Sequence, residues 1–367
     1  MQIPFVDLKV QYESIKSEID AAIQGVLDSS SFVLGKSVVE FEHAFAKAHK
    51  IGHCVGTSSG TDGNHLALWA LGIGPGDEVI LPANTFIATA WGATLCGATP
   101  VFVDCEPMSY NIDPAKIEAK ISPKTKAIVA VHLYGQSADI DALLQIAERH
   151  NIHLVEDCAQ AHFAEYKGKR VGGFGTTSSF SFYPGKNLGA YGEAGAAATN
   201  DPELANKFRL FRDHGSVQKY SHDTYGHNYR MEGIQGAVLG VKLKYLEEWT
   251  DKRRRVASMY GKLLNGVGDI VLPKEMPYAK HVYHLYVIQT SNRDRMQKYL
   301  QERGISAGLH YPSPLHVQKC FAHLGYKDGD FPVTEKLSRQ CLSLPMYPEL
   351  SDEQIRYVCA GVRSFFD

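Results

Sequence analysis

Four short apolar runs, spaced by helical patterns, do most to restrict the fold. They are DEVILPA (Asp77–Ala83), TPVFVD (Thr99–Asp104), KAIVAVHL (Lys126–Leu133) and HLVEDCA (His153–Ala159). Each is mostly apolar on both faces, as a strand of a sheet covered on both sides must be. Between them, TDGNHLALWALG ends on a glycine stop signal, and SADIDALLQIAERHN opens on a Ser/Asp cap. TSSFSFYP and GAAATN follow as two further strands. This alternation predicts an α/β fold with a doubly wound sheet. From about Met231 the pattern becomes one long helical stretch with room for a break, MEGIQGAVLGVKLKYLEEWTDKRRRVASMYGKLL. HVYHLYVIQ then reads as a strand and NRDRMQKYLQERG as a helix. The expected division is a large α/β domain over residues 1–250 and a small α+β domain over 251–367.

In such sheets a ligand sits beyond the carboxyl ends of the strands. Pro82–Phe86, Tyr134 and Gly135, Glu156–Gln160 and Ser181–Lys186 fall at such ends. A net charge of −2 leaves no electrostatic footprint for nucleic acid or an anionic membrane, so local groups must hold any anion. Seven scattered cysteines without a CxxC pair read as reduced thiols in a cytoplasmic protein. Asp7 and Lys9 stand where a signal peptide needs an apolar core, and no apolar run has the length of a membrane span. GIGPGD has the wrong spacing for a dinucleotide fingerprint, and GKN at Gly185–Asn187 lacks the rest of a P-loop. His162 after Cys158, and His281 before His284, lack partners at zinc-ligand spacing, so no metal is expected.

Three segments carry the candidate chemistry. In TSSGTDGNHLAL (Thr57–Leu68), small hydroxyl and glycine residues lead straight into a helix, whose free N–H groups either bind an anion or are simply capped. In EDCAQAH (Glu156–His162), two acids end an apolar strand and need partners. Such a carboxylate can hold a protonated ring nitrogen or cap a helix. In SFSFYPGKNLGAYGEAG (Ser179–Gly195), Lys186 has no charged neighbour in sequence nearer than Arg170 and Glu193. It is either an exposed loop lysine or an amine kept apart for reaction. Together, a phosphate cradle, a strand-end acid and an isolated lysine match what pyridoxal 5′-phosphate requires.

GTDG, ANTFIAT, EDCAQAH, SFSFYPGKNLGAYGEAG and GHNYRMEGIQGAVL occur in this order. The chain thereby resembles the DegT/DnrJ/EryC1/StrS family of pyridoxal-phosphate-dependent sugar aminotransferases, from PFVDLKVQY to HYPSPLH and LSLPMYP. The resemblance implies the type I fold of this transferase class, with a mostly parallel seven-stranded sheet and a smaller C-terminal domain. It implies Lys186 as Schiff-base lysine and catalytic acid/base, Asp157 on the pyridine nitrogen, Gln160 on the ring 3-hydroxyl side and Phe86 on the ring face. Gly60, Thr61 and Asp62 would line the phosphate, the latter two with backbone N–H groups, and Ser181 would add its hydroxyl. Asn228 would reach that phosphate from the other subunit of a homodimer. His310 and Tyr311 would face the sugar or its pyrophosphate.

The implied reaction moves an amino group from glutamate to a nucleotide-linked keto sugar, leaving 2-oxoglutarate. The wording of FYPGKNLG leans toward a 3-keto-6-deoxyhexose. The alternatives are a keto-cyclitol (inosose) aminotransferase, a sugar dehydratase and a non-enzymatic binding protein on the same fold. Relatives of the dehydratase kind carry His in place of the lysine. Two departures, GEAG (Gly192–Gly195) where GDGG is common and Phe163 where Gly is common, are expected to add bulk near the lysine segment and bear on which sugar fits.

Overall fold

The computed structural model describes residues 1–218 and 220–367. A seven-stranded sheet runs in the order His53–Thr57, Gly195–Thr199, Thr177–Ser181, His153–Asp157, Thr125–Val131, Glu78–Pro82, Thr99–Val103. Gly195–Thr199 is antiparallel to both its neighbours, and the other pairings are parallel. Successive side chains of a strand point to opposite faces, and here both faces are buried. Ile80, Ile128, Ala130 and Leu154 face Phe41, Phe45 and Leu143, from the helices Lys36–His49 and Ile140–His150. Val79, Leu81, Val129 and Val155 face Ala67, Leu68, Ala90 and Ala93, from the helices Gly60–Trp69 and Ile87–Leu95.

Six of these strands follow the apolar runs of the sequence. The seventh, His53–Thr57, was not legible there, because HCVGT is short and carries polar residues at both ends. Its position is fixed by a buried ion pair. Glu42 accepts from Arg212 Nη1 (2.6 Å) and from the Gly56 N–H (2.7 Å), and Arg212 also donates to the Gly56 carbonyl (2.8 Å).

The long C-terminal helical stretch is broken, as helices Gly233–Lys242 and Leu246–Leu264 flank a 3₁₀ turn at Leu243–Tyr245. The 250/251 division therefore falls inside a helix. Of HVYHLYVIQ only Tyr286–Gln289 is a strand, paired antiparallel with Cys341–Leu344. The preceding residues turn against the large sheet instead: Val282 N–H donates to the Gly135 carbonyl (2.9 Å) and Leu285 N–H to the Tyr134 carbonyl (3.3 Å). The C-terminal core of Val256, Tyr260, Ile288, Leu300, Leu342 and Val358 also takes in Ile3 from the start of the chain. Asp139 sits at the start of its helix without capping it, because its carboxylate accepts from the Tyr166 hydroxyl (2.9 Å).

Candidate active site

The site forms where strand ends and helix starts meet. Ser59 caps its helix, its Oγ accepting from the Asp62 N–H (3.2 Å) and its carbonyl from the Gly63 N–H (3.1 Å). The N–H groups of Gly60 and Thr61 have no intrahelical partner and carry the positive end of the helix. Glycine is required along this helix. A Cβ on Gly63 would lie 2.6 Å from the Ala196 carbonyl oxygen, and one on Gly60 would lie 2.5 Å from Ser181 Cβ. The small residues of Gly195–Thr199 let the helix lie directly on the sheet. That contact brings the helix start to Ser181.

Asp157 ends the central strand and is buried. Its Oδ2 accepts from Thr89 Oγ1 (2.7 Å) and Asn64 Nδ2 (3.2 Å), and its Oδ1 from the Ala159 N–H (3.1 Å). Asn64 is held in turn by Ser179, whose hydroxyl donates to Asn64 Oδ1 (2.5 Å). These donors come from two helices and a neighbouring strand, so the carboxylate is fixed in place.

Lys186 is half-buried in a turn closed by its own N–H on the Tyr183 carbonyl (2.8 Å). Burial lowers its pKa to about 8, against the opposing pull of Asp157. Three buried histidines feel the lysine's charge, and burial is the main reason each has its pKa lowered. That of His310 falls to about 4, and those of His162 and His284 fall well below the usual histidine range, with the Lys186 charge adding to all three. All three imidazoles are therefore neutral. His284 Nδ1 lies 3.3 Å from Asn187 Oδ1, next to the lysine.

Gln160 is buried, and Tyr311 Oη accepts from its Nε2 (2.8 Å). The Phe86 ring is exposed and lies 5.7 Å from that of Tyr311. His310 stacks on Phe5 at 5.6 Å and reaches Ser343 Oγ (2.9 Å). Lys186, Asp157, Gln160, Phe86, Ser181, His310 and Tyr311 thus gather at one end of the sheet with the Gly60–Asp62 helix start. Asn228 precedes Tyr229, whose carbonyl accepts from the Ser58 N–H (2.8 Å) beside the helix start. Asn228 itself is exposed, in an isolated bridge with Asp213.

Phe163 lies 5.1 Å from His49 and under the Arg170 guanidinium at 3.6 Å, in the core cluster that also holds Phe182 and Leu188 of the lysine segment. Ala194 of GEAG is likewise buried in that core. Asn64 and Thr89 were not legible in the sequence as partners of Asp157, whereas Tyr134 was read there as a strand-end residue without its partners. The polar type of Asn64, two residues after Asp62 and facing a sheet of alanines, was the available signal.

One buried cluster has ligand atoms close enough for a metal: those of His132, Glu156 and Cys158 lie within 4.8 Å of one another. Its donors and acceptors are already in use. Glu156 accepts from His132 Nε2 (3.0 Å) and from the N–H groups of Gly172, Phe174 and Gly175 (2.7–2.8 Å), while His132 Nδ1 accepts from the Ala138 N–H (3.1 Å). Burial alone would push the Glu156 pKa up. The His132 hydrogen bond and the backbone donors outweigh that and hold it below the ordinary value. The cluster is a structural joint.

A largely parallel α/β sheet with a lysine, a fixed strand-end carboxylate and a free helix start at one end has the parts that a pyridoxal-phosphate-dependent aminotransferase uses. Comparison with known proteins narrows the class. The chain belongs to the DegT/DnrJ/EryC1/StrS aminotransferase family, whose model matches residues 13–363. It is 48% identical over its full length, and over 99% of the relative, to a pleiotropic regulatory protein of Geobacillus stearothermophilus. It is 45% identical to dTDP-3-amino-3,4,6-trideoxy-alpha-D-glucose transaminase of Streptomyces venezuelae, over 99% of this chain and 96% of that one. The crystal structure of S. venezuelae DesV in complex with a ketimine intermediate superposes with a TM-score of 0.98 at 45% identity, covering 100% of this chain and 99% of that chain.

Proposed function

We propose that this protein transfers the amino group of glutamate to the keto carbon of a nucleotide-linked 3-keto sugar, with pyridoxal phosphate as cofactor, in amino-sugar biosynthesis. The observation that carries the reading is the setting of Lys186, an amine with a pKa near 8 beside a fixed carboxylate and an anion cradle. The residues fit the cofactor. The Gly60 and Thr61 N–H groups and the Ser181 hydroxyl suit its phosphate, whereas the Asp62 N–H is already shared with Ser59. Asp157 suits its ring nitrogen, Phe86 its ring face and the second Nε2 hydrogen of Gln160 its 3-hydroxyl. When bound, the cofactor supplies an aldehyde that carries the amino group and a ring that draws electrons from the carbon being deprotonated.

Lys186 Nζ would hold that aldehyde, and its neutral form would serve as the base that takes the proton from the donor Cα. The neutral histidines add no competing positive charge that would keep Nζ from accepting that proton. Thr89 and Asn64 keep Asp157 aimed while this happens. His310 and Tyr311 orient the sugar, and the steps reverse on its keto carbon. Asn228, exposed in this chain, would serve the phosphate of a second copy in a homodimer.

The lysine argues against a sugar dehydratase. The regulatory name of one relative keeps a non-enzymatic role in view, yet a binding protein has no use for a lysine poised at this pKa. Incubation with glutamate and a panel of dTDP- and UDP-linked 3-keto sugars, with inosose alongside, tests the reading. Stoichiometric 2-oxoglutarate and amino sugar are expected with a nucleotide-linked substrate. Turnover of inosose alone would point to a cyclitol substrate, and no turnover at all would sink the reading.

A further inference from the structure

Tyr134 ends the Thr125–Val131 strand region in a left-handed conformation (φ 58°, ψ 3°) that bulky residues avoid, and it is fully enclosed. Every polar group it has reaches another segment. Its N–H donates to Gln160 Oε1 (2.7 Å), its carbonyl accepts from the Leu285 N–H (3.3 Å), and its hydroxyl donates to the His310 carbonyl. Gln160 passes the connection on, its Nε2 donating to Tyr311 Oη (2.8 Å). Tyr311 follows His310 in the chain, so the hydrogen bonds close into a ring: Tyr134, Gln160, Tyr311, His310 and back to Tyr134.

The donors and acceptors around this ring have a definite sense. Because Gln160 Oε1 takes the Tyr134 N–H, its amide nitrogen must face Tyr311 and the interior of the site. Tyr311 Oη accepts there, which leaves its own hydrogen to be donated outward. Burial pushes the pKa of both tyrosine hydroxyls up, so both remain protonated donors. We propose that Tyr134 is a positioning residue that sets the amide of Gln160 and the hydroxyl of Tyr311 together, so that the enzyme presents the sugar with a hydrogen-bond donor of fixed direction. This inference rests on the aminotransferase reading. It adds that the sugar is recognised at this point through an acceptor oxygen, and that the donor amino acid does not depend on the tie between Tyr134 and His310.

The two half-reactions, read separately on the cofactor-loaded enzyme, test this. In Tyr134→Phe the packing and the Gln160 contact remain, and only the tie to His310 is lost. The glutamate half-reaction and the cofactor absorbance are expected to stay within twofold of the parent, while kcat/KM for the keto sugar falls about tenfold. Added to Tyr311→Phe, the same change is expected to cost little more, since the hydroxyl it aims is already gone. Equal losses in both half-reactions, an unchanged sugar half-reaction, or strictly additive effects in the double variant would each overturn the proposal. A parent enzyme that turns over glutamate but no keto sugar of any kind would overturn the underlying reading, and this proposal with it.

Discussion

Lys186 is the residue whose chemistry depends most on its surroundings. An ordinary lysine titrates near 10.4, and burial brings this one to about 8. Only the neutral amine attacks an aldehyde. Loading of the apo-protein with pyridoxal phosphate, followed by absorbance, is therefore expected to accelerate as pH rises through about 8 and to level off above it. A rate still climbing at pH 10 would place the reacting amine on the surface. Thr89 gives a second check at this scale. Thr89→Val removes the shortest bond to Asp157 (2.7 Å), and a hydrogen bond to a charged group contributes about 1.5–3 kcal/mol, so kcat is expected to fall at least tenfold while the fold holds. Lys186 and Asp157 were legible because an isolated lysine and a strand-end acid violate local rules. Asn64 and Thr89, and the partners of the strand-end Tyr134, were not, because the site residues they bond lie 26 or more residues away in sequence.

At the scale of elements, two buried acids hold the sheet in register. Glu42 and Arg212 join the Lys36–His49 and Pro202–Arg212 helices to the edge strand His53–Thr57. Arg212→Met leaves Glu42 buried and unpaired, at an expected cost of about 3–5 kcal/mol in denaturant unfolding. Glu156 titrates below its ordinary value in the folded chain. A carboxylate of that kind contributes stability that is present above its unfolded pKa, about 4.3, and is lost as pH falls through the folded value. Acid unfolding below about pH 4 is therefore expected to be shallower in Glu156→Gln, which has no such proton to gain. The parallel strands could be read from sequence because burial on both faces makes them continuously apolar. HCVGT could not, since only Cys54 and Val55 of its side chains are apolar core residues and a buried ion pair adds to what holds it.

At the scale of the whole molecule, the proposed homodimer would bring Asn228 from a second copy. The segment around it exposes Val217, Tyr220 and Tyr225, apolar surface that a partner would cover. A homodimer is expected by sedimentation, with Lys186→Ala and Asn228→Ala each inactive alone. A mixture of the two, dissociated and reassembled, is expected to regain activity, because half of each site would come from either subunit. Additive inactivity would place Asn228 outside the site.

The central claim is that Lys186 carries the cofactor aldehyde, and trapping that bond tests it most directly. The protein loaded with pyridoxal phosphate is reduced with borohydride, digested and mapped by mass spectrometry. The adduct is expected on the peptide containing Lys186 and nowhere else, and is expected to be absent in Lys186→Ala. An adduct on another lysine, or a protein that takes up no cofactor, would contradict the account.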